Sequence, residues 1–128
     1  MHKSRLATIV IDCQTPQLDE AARFWGAALG RPASEGDPAY PNYRALPGPP
    51  EEMTVLVQSV EHPSRVHIDI ETDDVEAEVQ RLESLGARRV AQVRTWWVME
   101  APTGQRFCVV RPQRPDFEAR ANVWGRDA

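Results

Sequence analysis

The stretch Arg65-Val66-His67-Ile68-Asp69-Ile70-Glu71, followed by Thr72-Asp73-Asp74 and then by Val75, Val79, Leu82 and Leu85, decides the fold. Its first seven residues alternate polar and apolar, the period of a strand with two unlike faces. Thr72-Asp73-Asp74 offers side chains that cap a helix N-terminus. The apolar positions that follow lie three and four apart, which predicts an amphipathic helix, and Gly86 stops it. Residues 89–93, 96–100 and 106–110 then read as three strands, with Pro102-Thr103-Gly104 as the turn between the last two. The order is strand, helix, strands.

Toward the N-terminus the same order recurs. Leu6-Ala7-Thr8-Ile9-Val10-Ile11 is a β-branched run ending at Asp12-Cys13, and it predicts a buried strand. Thr15 can cap a helix and Pro16 suits its first turn. Leu18, Ala21, Ala22, Trp25, Ala28 and Leu29 have helical spacing, and Gly30 with Pro32 ends it. Helices are therefore expected near 16–29 and 74–85. Six of the 11 prolines fall within residues 31–50, which excludes a long helix there and leaves turns, edge strands and a short strand at 43–46. Residues 53–60 form a clearer strand. A repeat of this length points to two stacked modules.

Four short motifs stand in order on these elements. They are Arg23-Phe24-Trp25 with Leu29-Gly30, His67-Ile68-Asp69-Ile70 with Asp74-Val75, Leu85-Gly86-Ala87, and Ala101-Pro102-Thr103-Gly104. On them, over residues 5 to 112, the chain resembles the vicinal oxygen chelate superfamily, the glyoxalase, bleomycin-resistance and extradiol-dioxygenase group. The likeness is to its glyoxalase-like domain branch; Ala101 stands where that family's turn has Asp. The resemblance implies an α+β fold of two βαβββ modules, about 5–60 and 65–112, with a tail at 113–128, all in one domain. It also implies a mixed sheet curved into a cup with both helices outside. The family's metal positions carry over to Thr8, Gln58, His67 and Cys108. Thr8 is a poor ligand and Cys108 is not the usual carboxylate, so no metal or other cofactor is expected.

Composition narrows the function classes. Among 128 residues, 15 Lys and Arg against 19 Asp and Glu give a net charge of −4, which argues against a nucleic-acid binder. No apolar run approaches the ~18–20 residues of a membrane span. Two cysteines and no visible secretory signal lead us to expect a reduced, cytoplasmic protein. Gly-rich phosphate loops, nucleophile elbows and Cys-x-x-Cys or His-Glu-x-x-His motifs do not occur.

His67 is the sharpest candidate: a cup-facing ligand or general base, or a histidine held within its strand. Asp69 and Glu71 share its side of the strand. With Asp12 at the end of the paired strand they could gather acid in one cavity, where a carboxylate acts as a base, or they are structural. Glu100 joins them as a catalytic candidate. Cys108 reads more readily as a small strand hydrophobe. One of Trp96 and Trp97 must face the inside of the sheet, where an indole makes a flat wall for a planar ligand. Phe24, Trp25 and Phe107 read as core. Tyr40 and Tyr43 lie in the proline-rich segment, read as a variable wall or a surface excursion. The expected ligand-binding set is Thr8, Asp12, Tyr43, Gln58, His67, Trp96, Trp97 and Cys108.

Two functions follow. One is a metal-independent protein that holds an apolar or aromatic small molecule. The other is a lyase, isomerase or dioxygenase using His67 and nearby carboxylates. In the tail, Phe117, Ala121 and Trp124 fall on one face of a possible helix at 116–124. Such a short helix needs a surface to dock on, and a partner subunit in a homodimer is expected to supply it.

Overall fold

In the computed structural model, which describes residues 1–125, the β-branched run is part of one long strand, β1 (His2–Gln14). The fold is α+β, with eight strands and three helices among the described residues. They divide into two compact units, one of Thr8–His67 and the other of Met1–Ala7 with the chain from Ile68 onward. No helix among the described residues is long and apolar enough to cross a membrane.

The first unit holds the later part of β1, α1 (Leu18–Leu29), β2 (Tyr43–Ala45) and β3 (Thr54–Val60). β3 runs parallel to β1, pairing Thr8 with Thr54 and Asp12 with Gln58, and β2 runs antiparallel to β3. The helix starts two residues later than expected because Thr15 Oγ1 accepts the Gln17 N–H instead of capping a helix at Pro16. Leu18 packs with Leu46, Val55 and Val57, and Ile11, Cys13, Ala21 and Trp25 close around them. Trp25 is therefore core, as expected. Phe24 is not: it is 62% exposed and touches Trp25 edge-on, outside the core. Ala28 and Leu29 are also exposed, because the helix's last turn lies beside a returning chain rather than over the sheet. A Cβ on Gly26 would come within 2.8 Å of the Arg31 carbonyl. Gly30, at φ 67°, makes the left-handed cap that sends the chain back. The proline-rich segment is tied down: Arg31 donates to the carbonyls of Met53 (2.9 Å) and Leu46 (3.4 Å), and Leu46 N–H to Val55.

The second unit takes most of β4 (Arg65–Thr72), then α2 (Val75–Ser84), β5 (Arg88–Val93), β6 (Trp96–Glu100) and β7 (Arg106–Val110). β7 runs parallel to β4, and β6 is antiparallel to both β5 and β7. Asp74 caps α2 by accepting the Ala77 N–H at 3.0 Å. Val79 and Leu82 of α2 pack on Met99, Phe107 and Val109.

The tail departs from its expected form. Helix α3 covers only Phe117–Arg120, and residues 122–124 form β8 (Asn122–Trp124), antiparallel to His2–Ser4 of the same unit. The one-sided helix through Trp124 does not form, because strand pairing satisfies the backbone beyond Ala121. Phe117 is buried beside Arg5. The Trp124 indole donates to Ser4 Oγ at 2.7 Å, and Arg81 stacks on its ring at 3.9 Å. Ser4 Oγ donates in turn to Glu78, which also receives His2 and both sides of the Arg81 fork. Residues 126–128 of the expected tail lie outside the described residues.

Candidate functional site

In the first unit, Ile11, Cys13, Val55 and Val57 face α1. Alternation along the strands then sends Thr8, Val10, Asp12 and Gln58 to the opposite face. There Gln58 is the register partner of both Asp12 and Tyr43. Its amide nitrogen donates to the Tyr43 hydroxyl at 2.9 Å.

Asp12 is the centre of this face. It is 2% exposed, and its Oδ2 accepts from His67 Nδ1 at 2.7 Å. The bond fixes the imidazole's orientation and its Nδ1–H. Two more basic side chains approach the same oxygen, Arg65 Nε at 3.7 Å and His62 Nε2 at 4.0 Å. The other oxygen, Oδ1, is buried and has no hydrogen-bond partner among the described residues, and neither has Thr8 Oγ1. His62 Nδ1 bonds the Pro63 carbonyl at 2.8 Å. Beside Asp12, Gln58 and His62 line an open cavity of about 1040 Å³ together with Asn42 and Thr15.

The structure thus gathers five expected residues, Thr8, Asp12, Tyr43, Gln58 and His67, on or beside one face of the first unit. Arg65 and His62 were not singled out from the sequence. Arg65 could have been, since it precedes His67 by two and so shares its side of β4. His62 follows a strand in a loop and carries no such signal.

Thr8 and Gln58, two of the family's metal positions, sit at different levels of the first unit's sheet. Thr8 stands opposite Thr54, while Gln58 stands opposite Asp12, four residues further along β1. Their backbones are thus about 13 Å apart along the strand.

The remaining candidates lie in the second unit. Asp69 and Cys108 are register partners on β4 and β7. Trp97 packs on the core beneath α2, with Arg89 over its ring at 5.1 Å. This settles the strand's parity: Trp96 takes the other face. Glu71 is fully buried and occupied on both oxygens, by Arg5 Nε at 2.5 Å and by the Gln113 and Arg114 N–H groups at 2.6 and 3.0 Å. Glu100 lies between Arg88 and Arg106, and Arg88 above all holds its carboxyl below the usual range. It is therefore a weak base.

A family model described as glyoxalase-like domain matches residues 8–110. No curated protein matches the chain. Among solved structures, methylmalonyl-CoA epimerase from Mycobacterium tuberculosis is similar at 19% identity and a TM-score of 0.55, covering 90% of this chain and 91% of its own. The epimerase from Streptomyces coelicolor is similar at 16% identity and 0.54, covering 85% and 98%. A structure described as an NAD-dependent benzaldehyde dehydrogenase from Legionella pneumophila reaches 0.59 at 10% identity, covering 82% and 98%. At these identities the likeness is one of fold.

Proposed function

We propose that this chain, which belongs to the glyoxalase-like domain family of the vicinal oxygen chelate superfamily, binds a small molecule without a metal on the first unit's helix-free face. The carrying observation is the open cavity of about 1040 Å³ whose lining includes Gln58 and His62, both beside the buried Asp12. Its size suits a compact ring-bearing compound. The poor ligand chemistry of Thr8 supports a metal-free mode.

A thermal-shift screen of aromatic compounds, run with and without a chelator, tests the reading. A ligand at 100 times its Kd stabilises by about 2.7 kcal/mol. We expect the shift to survive chelation. A shift abolished by chelator and restored by zinc, nickel or manganese would refute the metal-free mode.

The Asp12–His67 bond supports a second reading. A carboxylate that orients an imidazole is the arrangement of a general base. Under it, a bound carbonyl compound exchanges a carbon-bound proton with solvent, so deuterium from D2O enters the ligand. Incorporation lost in His67→Gln favours this enzyme; binding with none favours the carrier.

A further inference from the structure

We propose that the ligand carries an anionic group, in its simplest form a carboxylate, and that Arg65 with His62 selects it. This rests on the reading that the first unit binds a small molecule. Three basic side chains crowd one carboxylate oxygen. His67 makes the close bond to Asp12 Oδ2, while Arg65 and His62 stand off at 3.7 and 4.0 Å, beyond hydrogen-bonding distance. An ion pair built only to neutralise Asp12 would bring Arg65 onto the oxygen that lacks a partner. Instead that oxygen stays buried and unmet, and Arg65 faces the one already taken.

The guanidinium side chain is 46% exposed and the His62 side chain 38%, whereas the Asp12 side chain behind them is 1% exposed. A guanidinium presents a planar fork of donors that matches two oxygens of one anion. His62 also lines the cavity with Gln58 and Asn42, and Arg65 approaches the same Asp12 oxygen as His62, so a ligand with its body against Gln58 and Asn42 turns its charged end toward His62, with Arg65 close behind it. Two acids oppose this. Asp12 is shielded by its bond to His67. Glu61 lines the same cavity, and its repulsion makes anion selection depend on Arg65.

The test titrates the full chain with benzoate and with benzyl alcohol, a pair alike in ring and unlike in charge, followed by amide NMR shifts. We expect benzoate to bind about tenfold more tightly, equivalent to about 1.4 kcal/mol. Arg65→Gln removes that preference and leaves benzyl alcohol within about twofold, and Arg65→Lys restores part of it. Equal affinity for the two compounds, or a preference that survives Arg65→Gln, overturns this inference and leaves the binding reading standing. No shift with either compound overturns both. His62→Gln, at a half-buried position, supplies a second variant with the same expected direction.

Discussion

Asp12 in the first unit gives one oxygen to His67 and keeps the other buried without a partner among the described residues. In the second unit, Glu71 and Glu78 are fully buried and have both oxygens engaged. Glu71 ties the residues after β7 to Arg5. Glu78 joins His2, Ser4 and Arg81, and through them Trp124. An unmet buried oxygen costs about 1–3 kcal/mol, which a purely structural acid avoids by filling both sides. The contrast separates acids that hold the fold from an acid kept short of partners, which is how a binding site differs from a staple.

The sharpest way to break this contrast is through the cores around the two kinds of acid. Trp25→Ala in the first unit should cost about 3–5 kcal/mol in chemical denaturation. A loss below about 1 kcal/mol would mean that the indole does not pack as the contacts indicate. Glu78→Ala should cost about 3 kcal/mol, since it strands Arg81 and His2 around an empty place. Burial alone would raise the Glu78 pKa, but the bonds from Arg81, His2 and Ser4 outweigh it and hold the carboxyl below its ordinary range. Its contribution is therefore present above the ordinary Glu value of about 4.3 and is lost as pH falls through the lower folded value. Wild type and Glu78→Ala should converge in stability below about pH 4; a gap that widens there would reverse the sign.

Trp124→Phe removes the indole N–H from Ser4 but keeps a ring under Arg81. We expect a loss of about 1 kcal/mol by thermal or urea unfolding. Asp12→Asn is the smallest effect. The amide can still accept from His67, and one buried charge disappears, so stability should change by less than about 1 kcal/mol. A cost as large as that of Glu78→Ala would show that Asp12 is a staple after all.

The elements were legible because their signals are local. Alternation marked β4, three-and-four spacing marked both helices, and Asp74 announced the cap of α2. The strand period and the family motifs single out Asp12, Gln58 and His67, and the proline-rich segment singles out Tyr43. What stayed illegible depends on partners far along the chain. Phe24 and Leu29 fit the apolar stripe of α1, yet Gly26 admits the returning chain and leaves both outside the core. The tail carries helical spacing at Phe117, Ala121 and Trp124, but pairing with His2–Ser4 decides its last residues, and no window of local sequence contains that strand. Arg65 and His62 gained meaning only when Asp12 was seen to face them.

The pairing of residues 2–4 with residues 122–124 sets an order for synthesis. His2 lies opposite Trp124, and the bond from Trp124 to Ser4 joins residues 120 apart in sequence. Residues 2–4 leave the ribosome well before residues 122–124, their partners on that edge. All of the first unit's residues are out long before that, so it can settle early on neighbours close in sequence. The second unit cannot complete this edge until residues 122–124 have been made. Closing so long a loop costs only slightly more than closing one half its length, so the delay lies in the order of emergence and in the search for a distant partner. Between those two moments the edge that residues 2–4 later give to β8 stands open, the part of a nascent chain most open to capture by a neighbour.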